Sequence, residues 1–330
     1  MSRRQLINAP DDVIAEALEG LALTHPDLIA YEPAAALVRR RTPAPGKVGL
    51  VSGGGSGHEP LHAGFVGTGM LDVAVAGAVF ASPTALQIHA GTSAAEQGAG
   101  VLQVVKNYTG DVLNFRIADE IAADEGIEVA SVLVDDDIAT TGSKVGRRGT
   151  AAVVAVEKIC GAAAEAGADL ATLAALGRRV VGSSRSLALA LAAGTRPGDA
   201  TPAFELPDDL VELGVGIHGE RGTGRIPFGT ADALVDQLVE PLVTDLALDG
   251  SDPVIALVNG LGGTYPLQLS IAARRVHQGL GQRGVTVVRS LVGSYVTSLD
   301  MVGLSVTLVR ADDQLLRLWE APVRTPALTW

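Results

Sequence analysis

A chain of 330 residues with 25 Lys and Arg against 37 Asp and Glu carries a formal charge of −12, which argues against nucleic acid or an anionic membrane surface as a partner. Its residues are 47% hydrophobic but only 3% aromatic, and Cys160 is the single cysteine. The core is therefore made of Ala, Val, Leu and Ile, and an intramolecular disulfide framework is excluded. The N-terminus lacks the apolar core of a signal peptide, and no apolar run reaches the ~18 residues of a membrane helix. We expect a cytoplasmic, globular α/β protein.

Ala9-Pro-Asp-Asp12 caps a predicted helix in which Val13, Ala17, Leu18 and Leu21 recur at helical spacing. A Pro-rich connector, 42–46, leads to a short buried strand, 48–51. That strand stops at Gly53, Gly54, Gly55 and Gly57, and His58 and Glu59 follow, with Pro60 placed to open a helix. A strand at 71–76, a helix beginning at Ser82 or Pro83, and a strand at 100–105 come next. The last runs straight into Lys106-Asn-Tyr-Thr-Gly-Asp111. A helix over 112–123 precedes a strand at 128–134, which ends in Asp135-Asp136-Asp137.

Residues 149–168 and 170–176 read as Ala-rich helices. Gly, Pro, Thr and Asp crowd 193–207, which predicts a linker between a domain at 1–192 and another at 208–330. An apolar run then ends in His218, set between Gly216 and Gly219. A helix (230–246), a strand (254–258) meeting Asn259-Gly-Leu-Gly-Gly263, a helix (267–278), strands at 285–291 and 304–309 and a helix at 312–320 follow. This alternation predicts two α/β domains, each built on a largely parallel or mixed sheet with flanking helices. Polar clusters fall at strand ends, where such sheets bind ligands.

The glycine loop is neither a dinucleotide fingerprint, since His58 stands where a third glycine is needed, nor a Walker A loop, since no Gly-Lys-Ser/Thr closes it. Three strand-end clusters could carry chemistry: His58 with its loop, Lys106 with Asp111, and His218. Each also has a bland alternative. Asp111 could be a helix N-cap, Lys106 could keep its ammonium in water, and His218 could sit in a tight turn. His62 would share a helical face with His58, a zinc-like spacing, but no third ligand is placed, and we expect no metal on this chain. Asp135 to Asp137 could bind magnesium or form a solvated acidic turn. Cys160 reads as a small core residue.

Taken together, Ser52-Gly-Gly-Gly-Ser-Gly-His-Glu-Pro60, Phe80-Ala-Ser-Pro83, Lys106-Asn-Tyr-Thr-Gly-Asp111, Gly216-Ile-His-Gly-Glu220, Asn259-Gly-Leu-Gly-Gly263 and Thr297-Ser-Leu-Asp300 resemble the substrate-binding (K) subunit or domain of dihydroxyacetone kinases. The resemblance spans residues 5–320. It implies that His218 attacks the ketone carbonyl and holds the substrate as a covalent hemiaminal, a step that separates ketoses from glycerol. Asp111 would be the general base toward the hydroxyl to be phosphorylated. His58 would hydrogen-bond the substrate, Gly55, Ser56 and Lys106 would line the site, and Ser82 would be a further contact.

The resemblance also implies a homodimer and a separate nucleotide-binding L subunit. This chain would hold no cofactor of its own. The partner would carry ATP, exchanging it freely, or ADP recharged by a phosphotransferase relay, with magnesium. Two departures bear on the substrate. Ala78 stands where many relatives have an aspartate, and Arg221 and Arg225 follow the His218 motif. A tetrose such as erythrulose, or an anionic group near the arginines, is therefore an alternative to the triose. A non-catalytic sugar sensor is the rival from another class.

Overall fold

The computed structural model describes residues 4–330 and divides into two compact units. The first comprises Leu6–Val134, Val153–Val181 and Leu315–Trp330; the second comprises Asp135–Ala152 and Gly182–Gln314, with Arg4 and Gln5. Among the described residues no helix is long and apolar enough to cross a membrane.

The first unit opens with α1 (Val13–Thr24), then β1 (Ile29–Glu32), β2 (Leu37–Arg40), β3 (Gly49–Ser56), β4 (Val73–Val79), α2 (Ala85–Ala95), β5 (Val101–Lys106), α3 (Thr109–Asp124) and β6 (Val129–Val134). Helices α4 (Ala152–Glu165) and α5 (Leu170–Gly182) follow. The strand order is β1-β2-β4-β3-β5-β6, and only the β4-β3-β5-β6 part is parallel. Central strands β3 and β5 are buried throughout, as expected for strands covered on both faces. On one face Val51, Val73, Val75 and Val105 pack with Ile88 and Ala95 of α2 and Phe115 and Ala118 of α3. Phe115 is 1% exposed, so its truncation to Ala costs about 3–5 kcal/mol. Helix α2 starts at a reciprocal capping box between Thr84 and Gln87, one or two residues beyond the predicted start.

The second unit holds β7 (Ser184–Ala192), β8 (Leu210–Leu213), β9 (Gly224–Pro227), α6 (Ala231–Asp245), β10 (Pro253–Gly260), α7 (Pro266–Gly281), β11 (Thr286–Gly293) and β12 (Val302–Arg310). Helix α8 (Asp313–Glu320) then carries the chain into the last segment of the first unit. The sheet order is β11-β10-β12-β7-β8-β9, and every pair except β10–β11 is antiparallel. Helices α6 and α7 bury Leu234, Leu238, Leu242, Leu269 and Val276 against Leu187, Leu189, Val254, Val258 and Val306 of the sheet. Both sheets are thus mixed, as anticipated, but the second is not a parallel one.

The domain boundary differs from the expectation. Residues 193–207 do not separate domains: β7 and β8 on either side of them pair in one sheet, Leu189 opposite Leu213. The Gly- and Pro-rich composition there marks an excursion between neighbouring strands. The chain crosses between the units near residues 5, 134, 152, 181 and 314. The glycine run is also not a loop. Gly53, Gly54 and Gly55 are strand residues of β3. A Cβ on Gly53 would lie 2.5 Å from the Val75 carbonyl oxygen, and one on Gly55 would lie 2.6 Å from Ala81 N. Close backbone packing, rather than turn geometry, demands glycine at both.

Candidate functional site

The end of β3 delivers His58 after Gly57. Pro60 does not begin an α-helix: the Glu59–Pro60 and Leu61–His62 peptides are cis, and the next regular turn is a 3-10 turn at Ala63–Phe65. The Gly57 N–H donates to both Glu59 carboxylate oxygens, at 3.0 and 3.1 Å, which closes the turn locally instead. His58 is 1% exposed, and its ring stacks on Phe80 with centroids 5.2 Å apart. Phe80 has φ of 58°, rare for a bulky residue, and its N–H donates to the Ser56 carbonyl at 2.9 Å. The Ser56 hydroxyl is itself buried and donates to the Gly77 carbonyl at 2.7 Å.

Lys106 ends β5 and is 1% exposed, so the solvated-ammonium alternative is wrong. Its Nζ donates to the Gly53 carbonyl at 3.2 Å and lies 2.6 Å from His62 Nε2. His62 Nδ1 in turn lies 2.6 Å from Glu157 Oε1 on α4. Burial pushes the His62 pKa well below 6.5, with Lys106 and His58 adding to the effect. Burial also lowers Lys106, against the pull of Asp111 and Glu157, and raises Glu157 to about 8, against Lys106 and Ser52. His62 is therefore not the companion of His58 on a helical face, and its partners are a lysine and a glutamate. Among the described residues no group of three His, Cys, Asp or Glu side chains could hold a metal ion.

Asp111 is not an N-cap either. Tyr108 occupies that position, and Asp111 is the third residue of α3, 2% exposed, with Oδ1 buried and without a hydrogen-bond partner among the described residues. The first turn of a helix is where a carboxylate is electrostatically favoured. A Cβ on Gly54 would lie 2.5 Å from Lys106 Nζ and 3.5 Å from Asp111 Oδ2, so both side chains converge on that glycine. A Cβ on Gly110 would lie 2.7 Å from Ser82 Oγ, which puts Ser82 against the same helix start. The first unit thus gathers His58, Gly55, Ser56, Ser82, Lys106 and Asp111 around the ends of neighbouring strands.

His218 belongs to the second unit, in the loop between β8 and β9. Its Nδ1 lies 3.0 Å from Glu220 Oε1, and Glu220 Oε2 accepts from the His218 N–H at 2.9 Å. Burial would raise the Glu220 pKa, but its hydrogen bond to His218, the His218 charge and Arg148 hold it down at about 2. A carboxylate on Nδ1 keeps the imidazole proton there and the lone pair on Nε2. A Cβ on Gly216 would lie 2.1 Å from Glu220 Oε2 and 2.5 Å from Arg148 Nη1, so glycine is required for that contact. Arg148 donates to Asp137 Oδ2 (2.9 Å from Nε) and to the Gly214 carbonyl (2.8 Å). Burial pushes Asp137 up to about 6, opposed by Arg148 and the Ala139 N–H. The loop is closed by Gly216 N–H to Glu220 O, Gly219 N–H to Gly216 O and Thr223 N–H to Leu213 O.

The acidic triplet is neither a magnesium site nor a solvated turn. Asp136 is fully buried and accepts from Thr150 N, Thr150 Oγ1 and Ala152 N at 2.7 to 3.0 Å, and from Ser186 Oγ. The two departing arginines are accounted for as well. Arg225 Nε lies 3.1 Å and Arg221 Nε 3.5 Å from the carboxylate of Glu212, which is 1% exposed. Both guanidiniums answer a buried charge on β8. Cys160 is buried in α4, as expected of a core residue, with its pKa raised to about 12 by burial.

Sequence reasoning assigned no role to Glu157, Arg148, Glu220 or Phe80. A usable signal existed for two of them. Glu157 and its neighbour Lys158 interrupt an apolar run in α4, and Glu220 follows His218 at the two-residue spacing that suits a side-chain-closed turn.

Comparison with known proteins agrees with this arrangement. The model of the Dak1 domain matches residues 19–327. The chain is 48% identical, over 94% of its length and 95% of the relative's, to the dihydroxyacetone-binding subunit of PTS-dependent dihydroxyacetone kinase 1 of Listeria innocua. The dihydroxyacetone kinase of C. freundii superposes with a TM-score of 0.91 at 34% identity, over 99% of this chain and 60% of that one. A dihydroxyacetone kinase operon co-activator superposes with a TM-score of 0.90 at 33% identity, over 97% of this chain and 98% of its own.

Proposed function

The chain belongs to the Dak1 domain family, and on that premise we propose that it is the dihydroxyacetone-binding subunit of a two-component kinase, a phosphotransferase that needs a nucleotide-binding partner. His218 adds through Nε2 to the ketone carbon of a short ketose. The carbonyl oxygen takes a proton as the C–N bond forms, and the imidazole, relieved of the Nδ1 proton, ends as a neutral hemiaminal. The observation that supports this reading most directly is the Glu220 carboxylate on His218 Nδ1 at 3.0 Å. A carboxylate there holds the imidazole proton on Nδ1, as nucleophilic attack through Nε2 requires.

Asp111 accepts the proton of the hydroxyl that is phosphorylated; its buried Oδ1 has no hydrogen-bond partner among the described residues. His58 hydrogen-bonds the bound sugar, Gly55, Ser56 and Lys106 line its place, and Ser82 is a further contact. The nucleotide and magnesium sit on the partner subunit. The naming of the Listeria relative as PTS-dependent supports a phosphotransferase relay as the donor. The chain acts as a homodimer in the cytoplasm. Arg221 and Arg225 both pair with the Glu212 carboxylate, which offsets one of their two charges; that weakens the motive for an anionic substrate and favours a neutral ketose.

The likeness to an operon co-activator supports one rival, a sugar sensor with the same pocket. Calorimetric titration with dihydroxyacetone, erythrulose and glycerol, on the native chain and on His218→Ala, tests the reading. Ketose binding that excludes glycerol and disappears in the variant is expected, and the tighter ketose names the substrate. Glycerol binding equal to ketose binding, or an unaffected variant, would refute the covalent step. Ketose binding without phosphorylation in the presence of the nucleotide-binding subunit would favour the sensor.

A further inference from the structure

The first unit buries three ionisable side chains in a row, Glu157, His62 and Lys106, linked by two contacts of 2.6 Å. The side chains of His62 and Glu157 are 4% and 0% exposed, and Lys106 is 1% exposed. Isolated buried charges are costly, so such a row persists only when its protons and charges are matched. An ammonium has no lone pair to offer, so His62 Nε2 must accept from Lys106. A neutral imidazole then carries its one proton on Nδ1, where the Glu157 carboxylate accepts it. A protonated His62 would instead set an N–H against an N–H at 2.6 Å. With Lys106 as the ammonium, the geometry fits one arrangement: ammonium, neutral imidazole with Nδ1–H, carboxylate. Its rival with the same protons, neutral amine, Nε2–H imidazole and carboxylic acid, is the one toward which burial pushes both end groups.

We propose that Glu157 and His62 are positioning residues for Lys106, and that this buried donor chain fixes its ammonium beside Asp111 in the site. The proposal rests on the reading of Lys106 and Asp111 as substrate-facing groups. Of the three ammonium protons, one goes to Gly53 O, at 3.2 Å, and one to His62. The third remains for the Asp111 side of the site, where Gly54 lacks the Cβ that would lie 2.5 Å from Nζ. The charged and titratable groups facing Lys106 are Asp111 from α3, Glu157 from α4 and His62 from the segment after β3, with His58 acting in turn on His62. Asp111 and Glu157 alone oppose the burial that drives Lys106 toward the neutral amine. On the alkaline limb, above its raised pKa of about 8, Glu157 is a carboxylate, and removing that charge leaves Asp111 to oppose the burial of Lys106.

Two measurements test this. In the native full-length chain, nitrogen NMR of the imidazoles at neutral pH should show His62 neutral with its proton on Nδ1. This readout does not depend on any substrate. In the complex with the nucleotide-binding subunit, Glu157→Gln keeps the side-chain shape and should lower kcat about tenfold, the scale of one charged hydrogen bond. It should also move the alkaline limb of the kcat/KM profile to lower pH by about one unit, with the KM for nucleotide unchanged. A cationic His62, an Nε2–H tautomer, or a folded Glu157→Gln variant with an unmoved alkaline limb would overturn the proposal. If the variant fails to fold, the tautomer in the native chain decides. A native complex that phosphorylates no ketose refutes the proposed function, while the tautomer still reports on the donor chain.

Discussion

The two units hold their histidines by opposite means. In the first, His58 and His62 are fully buried, and His62 is kept neutral by desolvation and by the positive charge of Lys106. In the second, the side chain of His218 is 17% exposed, and it is governed by a carboxylate, Glu220, which is itself 37% exposed. Burial selects a charge state, whereas a directed carboxylate selects a tautomer and an orientation. A group that contacts a sugar without changing its own protonation suits the first arrangement. A nucleophile, which must present one particular lone pair, suits the second.

That contrast can be broken by substitution. The largest effect after loss of His218 itself is expected for Asp111→Asn in the first unit. Phosphorylation by the assembled kinase should fall about 10²- to 10⁴-fold, the usual contribution of a general base, while calorimetry still detects ketose binding. Equal loss of binding and turnover would mean that Asp111 holds the substrate rather than activating it. In the second unit, Glu220→Ala should weaken ketose binding about ten- to a hundredfold by releasing the imidazole. Glu220→Gln, whose amide oxygen can still accept from Nδ1, should recover part of that loss. An unchanged affinity in both variants would show that the loop alone orients His218.

The same carboxylate makes a pH prediction. Its folded-state pKa, about 2, lies below the usual 4.5. The pair therefore contributes stability above the unfolded value, and that contribution is lost as pH falls from 4.5 toward 2. Denaturant titrations should show the stability gap between the native chain and Glu220→Gln narrowing over that range. A gap that widens on acidification would reverse the assignment of charges. The smallest effect is expected at Arg221, whose side chain is 67% exposed. Arg221→Ala should alter stability by no more than about 1 kcal/mol and leave the choice among ketoses unchanged. A switch in ketose preference would restore the arginines to the site.

Most of the element order was legible because the apolar periods of α1, α6, α7 and the central strands are strong and local. Lys106, Asp111 and His218 stand out as candidates because each lies in a polar cluster at a strand end, but such a cluster also has a bland reading, and the roles proposed for them come from the family resemblance. Three features were hidden for physical reasons. Glycines read as a loop were strand residues, because backbone crowding against Val75 and Ala81 is a tertiary fact. The alternation of Leu187, Leu189 and Leu191 with Ala188 and Ala190 encodes β7, but Ala on its second face keeps that period weak, and no element is predicted there. The burial of Glu157, His62 and Lys106 together depends on α4, a helix far along the chain from β5 and more distant still from the glycine run. No local spacing reports that.

The β8–β9 pairing has a further consequence. The two strands tie the base of the loop from 214 to 223, and its own N–H groups close it at Gly216, Gly219 and Thr223. Hydrogen bonding to Glu212 from the Gly222 N–H adds another anchor. The conformational freedom of this loop is thus largely given up when the chain folds, rather than when a ligand arrives. The proposed nucleophile, mounted in this way, resembles a tool already clamped in its holder, and encounter need only supply the workpiece.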